Sequence, residues 1–503
     1  MKFYITTPIY YVNDLPHLGH VYTNVAADTL ARYKRLSGFD VFFLTGTDEH
    51  GQKMERQAAK EGIRPQELAD RVVVKFKELW KRLDISNDDF IRTTESRHIQ
   101  GATKLFEKIY RGGGINKGRY QGWYCTPCES YWSEREFDKD QECPSCRRPC
   151  EWVEEESYFF RMSTYQEKIL RYIEEDPAFI QPGSRRTEIL NLIKEGLRDL
   201  SISRSSFSWG IPVPIDPKGG VIYVWFEALI NYLTGCGFGA DDERFERYWP
   251  ADIQIIGKDI LRFHAIIWPT MLMAAGLSPP KKIFAHGWWM VKGRKMSKSL
   301  GNMVNPHQLI DEFGQDALRY FLLREVPFGL DGDFSKEALI NRINADLAND
   351  LGNLVSRILG MLQLYTDSKI PHPRGSEDGF QDIFLKIPME VNGFMEELVF
   401  NQVLIRIWDL VHSTNEYIDQ KAPWRLERDD PYLSTILYTL SETLRYIALL
   451  IFPFMPNTAR KMWDQLGIEE SIENQGLTSL TRWGVIKPGT RTVRGEPLFP
   501  RIG

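Results

Sequence analysis

The sequence predicts an α/β protein built on a parallel sheet, with a small cysteine-bearing insertion and a long all-α region behind it. Three observations carry that reading. A strand run, a helical run and a second strand run fill roughly the first 45 residues, the βαβ unit of a parallel sheet. Two CxxC pairs lie close together between Cys125 and Cys146, in a stretch of turns and aromatics. From Lys336 onward, apolar residues recur almost entirely at helical spacing.

Taken in order, Lys2 to Thr7 is a short β-rich run and Pro8 to Pro16 is turn-prone. Leu18 to Ser37 places Val21, Val25, Leu30 and Tyr33 at helical spacing, with Gly38 as a C-cap. Asp40 to Leu44 is the second strand. Pro65 starts a helix that continues from Gln66 to Leu83, and Arg97 to Arg111 is another. Gly112 to Gly114 breaks that pattern, and the inserted module begins at residue 115. The α/β texture returns near residue 220: Val221 to Trp225 reads as a strand, Glu227 to Leu233 as a helix, Asp252 to Ile256 as a strand, Asp259 to Ala275 as a helix and Lys282 to His286 as a strand. Three long helical segments follow near 336–365, 381–419 and 432–465, divided at Pro371, Pro373, Gly375 and Pro431; Pro453 and Pro456 kink or end the last. The expected divisions are therefore 1–114, 115–220, 221–284, 285–335 and 336–503, with no internal repeat and no low-complexity tract.

Composition narrows the function. The chain has 503 residues, 43% hydrophobic and 26% charged, as an ordinary globular protein does. Its net charge of −5 excludes a uniformly basic nucleic-acid coat but not a local basic patch. The longest apolar run, Ile447 to Met455, falls far short of the roughly 20 residues of a membrane span. The start, KFYITTPIYY, has no leader character, so a cytoplasmic protein without membrane contact is expected. Six cysteines are too few for a disulfide scaffold.

Three motifs carry chemistry. Pro16-His17-Leu18-Gly19-His20 lies where the first strand hands over to the first helix, whose N-terminus offers unpaired N–H groups and a positive dipole end to phosphate. His17 and His20 are three apart and face one spot; two imidazole donors would stabilise charge growing on a phosphate oxygen. Gly19 lets an adenine ring lie against the backbone. The plain alternative is two unrelated histidines near a helix start. The second motif, Gly293-Arg-Lys-Met-Ser-Lys-Ser-Leu-Gly-Asn302, places Lys292, Arg294, Lys295 and Lys298 in a glycine-flanked loop suited to closing over a triphosphate; the alternative is a solvated basic loop. The third is Cys125-Thr-Pro-Cys128 with Cys143-Pro-Ser-Cys146. Two such knuckles give the four-sulfur set zinc prefers in a closed structural site, against a redox dithiol or free cysteines. Cys150 is a possible stand-in ligand, and Cys236 reads as core.

Together the first two motifs resemble the paired motifs of class I aminoacyl-tRNA synthetases, in the same order. The resemblance implies a Rossmann-type sheet that binds ATP, activates an amino acid as its adenylate and transfers it to tRNA. Some 274 residues separate His20 from Lys295, too short a gap for the editing domain of the leucine, isoleucine and valine enzymes. The zinc module, and segments such as Thr6 to Asn13, Thr45 to Gly51, Tyr223 to Ala228, Gly257 to His264, Ala285 to Trp288 and Ala422 to Trp424, resemble bacterial-type methionyl-tRNA synthetases over effectively the whole chain. Glu227 departs from that pattern, which has Asp there.

The resemblance implies the roles. ATP would meet His17, Gly19, His20, Gly257, Asp259, Lys295 and Lys298, with Mg²⁺ accompanying it; His17, His20, Lys295 and Lys298 are the catalytic set. Methionine would occupy a slot of Ile9, Tyr11, Trp225, Ala228, Leu229, Tyr232, Ile260, His264 and Trp268, with Asp48 anchoring its ammonium. Without the family match those aromatics would read as core, and Asp48 as a helix N-cap. His264 and Trp268 are four apart and share a helix face. Zinc would sit on Cys125, Cys128, Cys143 and Cys146. In the C-terminal region, a helical bundle, Asn353, Arg357 and Trp424 would read the CAU anticodon of initiator and elongator methionine tRNA. A monomer is expected. A non-catalytic tRNA-binding relative is the reading from another class, and the intact His17, His20, Lys295 and Lys298 argue against it.

Overall fold

Strand β1, Lys2–Tyr11, is apolar on both faces and almost wholly buried, as the centre of a parallel sheet requires. It runs straight through Pro8: its register against β2 (Asp40–Asp48) shifts between Thr6 and Ile9, a bulge that accommodates the missing N–H. The expected turn from Pro8 is therefore a strand that carries Ile9 and Tyr11 outward. The computed structural model describes residues 1–12, 15–132, 142–144, 146–296 and 302–503.

Four more parallel strands complete the sheet: β3 (Asp89–Arg92), β4 (Ile180–Gln181), β5 (Ile253–Gly257) and β6 (Ile283–His286), in the order β3-β2-β1-β5-β6-β4. Helix α1, Leu18–Leu36, crosses from β1 to β2. Strand β4 comes from within the 115–220 stretch. The strand expected at Val221–Trp225 is confined to Val221–Ile222, which pairs antiparallel with Ser203–Arg204 outside this sheet; the chain is helical from Val224. A short apolar run satisfies a buried helix turn as well as a strand, and here burial against the cavity described below selects the helix.

The insertion is an antiparallel sheet of Ser130–Trp132, Ile115–Cys125, Glu151–Phe160 and Leu200–Ser201. The C-terminal region is helical over Lys336–Arg342, Ile343–Gly352 (a π-helical stretch), Asn353–Thr366, Asp378–Glu396, Phe400–Lys421, Pro431–Ile451 and Pro456–Gln465. The expected 381–419 segment is two helices, parted at Leu398, whose φ of 57° no helix tolerates. Pro453 and Pro456 end the next helix, as expected.

Among the described residues two large hydrophobic cores result, beside a small cluster around the cysteines. One holds the α1 side of the sheet together with the C-terminal helices, and the other holds the opposite side with the insertion. The seam between sheet and helices is pinned by Asp28 of α1, which pairs with Arg32 (2.9 Å) and Arg319 (2.6 Å); Arg319 also donates to the Phe454 carbonyl at 2.8 Å. Burial alone would raise the Asp28 carboxyl, but Arg32 and Arg319 outweigh it and hold it at about 2. Among the described residues no helix is long and apolar enough to cross a membrane.

Candidate active site

The strand order reverses between β1 and β5, and the carboxyl ends of these strands open onto a cavity of about 360 Å³. Ligands of open α/β sheets bind at such a reversal. Fourteen of the sequence-predicted residues line it: His17, Gly19, His20, Gly257 and Asp259 at one end, and Ile9, Tyr11, Asp48, Trp225, Ala228, Leu229, Tyr232, Ile260 and His264 at the other.

At the first end, His17 is the N-cap of α1. Its Nδ1 accepts from the Gly19 N–H (3.1 Å), and its own N–H donates to His20 Nδ1 (3.2 Å). Both accepting atoms are Nδ1, so a neutral ring carries its proton on Nε2. The rings stack with centroids 3.7 Å apart, and a side chain at Gly19 would press on His17. Burial, then the neighbouring His17, push His20 well below its ordinary value, so it is neutral at neutral pH. Asp259 follows β5 on a tight turn; its Oδ1 accepts from the Trp288 indole at 3.2 Å. His286, at the end of β6, also lines the cavity, its Nε2 taking the Thr23 hydroxyl at 2.7 Å.

At the second end the walls are apolar. Trp225 stacks on Phe263, centroids 3.9 Å apart. Tyr232 donates to His264 Nε2 at 2.7 Å, and His264 Nδ1 donates to the Ile260 carbonyl at 3.0 Å. Burial brings His264 down to about 4, so it is a neutral acceptor. Trp268 shares the expected face with His264, since both rings lie against Tyr232, but one turn deeper it backs Tyr232 without lining the cavity. Among the described residues Asp48 is the only acidic one lining this end; its Oδ1 is buried without a hydrogen-bond partner. Burial, then Glu227 and Glu129, push its carboxyl well above the ordinary range. The N-cap alternative for Asp48 fails, because the following helix, Gln52–Glu61, is capped by Gly51. Glu227 lies behind, taking His50 Nδ1 at 2.9 Å and His98 Nε2 at 2.7 Å, which accounts locally for the longer side chain.

Sequence reasoning missed Tyr10, Thr23, Asn231, His286, Trp288, Trp289 and Met296 as lining residues. The Ala285 to Trp288 segment was the available signal for two of them. Lys298 lies outside the described residues, as do Ser297 and Ser299 to Gly301; of Lys295 the backbone is described, in the strand Arg294–Lys295.

The sulfurs of Cys125, Cys128, Cys143 and Cys146 lie within 4.8 Å of one another, with Cys125–Cys146 at 3.6 Å and Cys128–Cys143 at 3.8 Å. A tetrahedron with ~2.3 Å zinc–sulfur bonds has edges of about 3.8 Å, so the four thiols fit such an ion. Cys150 packs beside this set without joining it, and Cys236 is buried in the second core, donating to main-chain carbonyls.

In the helical region, Asn353 and Arg357 sit one turn apart on Asn353–Thr366. Asn353 lines a second, open cavity of about 460 Å³ with Asn349, Ser356, Phe499 and Arg501. Arg357 pairs with Asp419 at 2.6 Å, on the helix that leads to Trp424. Trp424 is 52% exposed.

A nucleotide-type sheet with a histidine-capped helix at its reversal point, followed by a helical region, is the arrangement of class I aminoacyl-tRNA synthetases. The family model described as tRNA synthetases class I (M) matches residues 3–151 and 139–359, and the anticodon-binding domain of tRNA ligase matches 386–490. The methionine–tRNA ligase of Caldanaerobacter subterraneus is 56% identical over 99% of this chain and 79% of its own length, and that of Thermotoga maritima 47% identical over 100% and 80%. The structure of Mycobacterium tuberculosis methionyl-tRNA synthetase in complex with methionyl-adenylate superposes with a TM-score of 0.95 at 42% identity, covering all of both chains; its free form gives 0.88. The chain belongs to the methionyl-tRNA synthetase family.

Proposed function

We propose that the protein joins L-methionine to methionine tRNA in two steps at one cavity: methionine and ATP give methionyl-adenylate and pyrophosphate, and the adenylate gives its acyl group to the tRNA, releasing AMP. The observation that carries this is a single cavity with a histidine-lined helix end on one side and, on the other, an aromatic slot in which one buried carboxylate oxygen, Asp48 Oδ1, has no hydrogen-bond partner.

Asp48 takes the ammonium, which restores its charge in a buried setting. Trp225, Tyr232, His264 and the apolar wall hold the unbranched thioether, with sulfur–ring contacts adding a little. The substrate carboxylate is already ionised, so it attacks the α-phosphorus without a general base, and positioning carries much of the step. The Nε2 protons of His17 and His20 donate to phosphate oxygens as charge builds, and Lys295 and Lys298 hold the departing pyrophosphate. Asp259 accepts from ribose hydroxyls, with Gly257 leaving room beside it. Mg²⁺ bound with ATP neutralises part of the phosphate charge.

Zinc on the four cysteines is structural, since all four positions are filled by protein. Residues 1–114 and 221–284 form the catalytic domain, 115–220 the connective insertion, 285–335 the lysine loop and its support, and 336–503 the anticodon-binding part. There Asn353, Arg357 and Trp424 read CAU in initiator and elongator tRNA. The protein acts as a cytoplasmic monomer. Amino-acid-dependent ATP–pyrophosphate exchange tests the reading: methionine supports exchange and leucine, isoleucine and cysteine do not. Absence of exchange with every amino acid overturns it.

A further inference from the structure

The cysteine knuckle does more than close on itself. Directly after Cys128 the chain turns left-handed at Glu129, φ 48°, and buries that side chain to 3% exposure against the sheet domain. Glu129 Oε1 accepts from the Lys53 N–H at 3.0 Å and lies 3.0 Å from the Tyr11 hydroxyl, which also donates to the His50 carbonyl at 2.7 Å. The Glu129 carbonyl accepts from Tyr223 at 2.5 Å. Lys53 is in the first turn of Gln52–Glu61, a helix whose cap, Gly51, offers no side-chain acceptor. A carboxylate from 76 residues away therefore caps it and meets its dipole. A side-chain carbon at Gly51 would collide with both Glu129 oxygens and the Tyr11 hydroxyl, and φ there is 108°, so glycine admits the carboxylate.

We propose that Glu129 is a positioning residue that ties the knuckle to the methionine slot, fixing Tyr11 from behind and the helix that follows Asp48 from its N-terminus. This rests on Tyr11 and Asp48 facing the substrate. Disorder at the knuckle would then reach the slot through one side chain, and methionine binding would suffer before ATP binding.

The test uses the metal-loaded protein, with metal content measured alongside. Titration calorimetry gives the methionine Kd without ATP, and exchange kinetics give KM for methionine and for ATP separately. In Glu129→Ala with its ion retained, methionine Kd and KM rise about tenfold and the ATP KM stays within about twofold. Glu129→Gln keeps an acceptor oxygen and returns to within about twofold of wild type. In a Tyr11→Phe background the Glu129→Ala effect shrinks, as coupling through the hydroxyl requires. Unchanged methionine Kd in ion-loaded Glu129→Ala overturns the proposal. If that variant sheds its ion, Glu129→Asp, too short to reach the Lys53 N–H, carries the same test and the same overturning result. Unchanged methionine Kd in Tyr11→Ala would instead overturn the slot reading.

Discussion

The two proposed recognition surfaces are built on opposite plans. The slot at the sheet reversal is closed, its aromatics locked by one another and its polar groups mostly satisfied: Tyr232 by His264, His264 by Ile260. Asp48 Oδ1 is the buried carboxylate oxygen that waits for a partner there, with the neutral Asn231 Oδ1 also unpartnered. The face around Asn353, Arg357 and Trp424 is open. Its arginine is already paired with Asp419, and its tryptophan is half exposed. A small zwitterion is selected by a preformed shape and one charge, so mistakes cost a buried ion. A nucleic acid is selected by groups that exchange partners at the surface, so each contact is worth less.

The sharpest way to break this contrast is at the buried charge. Asp48→Asn leaves the ammonium facing a neutral amide and should cut kcat/KM for methionine roughly a thousandfold, in line with the ~3–5 kcal/mol of a broken buried pair. The pH behaviour has a defined sign. The free carboxyl is held well above its ordinary value, first by burial, so methionine binding should expel a proton and strengthen as pH rises through that raised value. Calorimetry in buffers of different ionisation enthalpy reads the proton directly. Equal heats in all buffers would show an aspartate already ionised in the empty slot.

Next come the phosphate-facing groups. His20→Ala and Lys298→Ala should each slow exchange by roughly a hundredfold or more in kcat, with methionine Kd nearly unmoved, because their charge interactions grow only as pyrophosphate departs. His20 is held below its ordinary value by burial, then by His17, so in wild type His20 itself should add no titration near pH 6.5 to the exchange rate. A higher methionine Kd with unchanged kcat in either variant would put that residue in the wrong half of the cavity.

On the open face the expected effect is smaller. Trp424→Ala should lower tRNA charging by roughly tenfold to a hundredfold, the ~1–3 kcal/mol of one stacked base, and leave tRNA-free exchange intact. Loss of both activities together would make Trp424 a packing residue, against its exposure. Loss of neither would move anticodon reading elsewhere.

The closed surface was also the more legible in sequence. Periodicity placed α1, the strands at Asp40 and Ile253 and the helix-start histidines, because those depend on neighbours within a few residues. The two-residue strand Ile180–Gln181 has no pattern to read, and Val221–Trp225 carries one that a strand and a buried helix turn share. His286 and Trp288 belong to the cavity through the sheet order, not through spacing. Glu129 was invisible for the same reason: beside a CxxC pair it reads as a solvated acid, and only the fold brings it to Tyr11, 118 positions away.

Removing the metal is expected to act on stability more than on turnover. Chelation, or Cys143→Ser, should lower the unfolding temperature and loosen residues 118–155, because without the ion the sulfurs take up protons and nothing bridges the two knuckles. Yet the described contacts from the knuckle to the cavity run to its methionine side, through Glu129 to Lys53 and Tyr11, with Thr126 on Gln52 beside them (3.4 Å). His20 and Asp259 take no hydrogen bond from the knuckle among the described residues. Molecules that stay folded should therefore keep exchange turnover within a fewfold at saturating methionine, with the methionine KM raised about as far as in Glu129→Ala, near tenfold. Charging at saturating methionine should be equally spared, since Trp424 and Arg357 belong to the helical region. A folded apo-protein that binds ATP and methionine but performs no exchange would place the ion in the reaction itself.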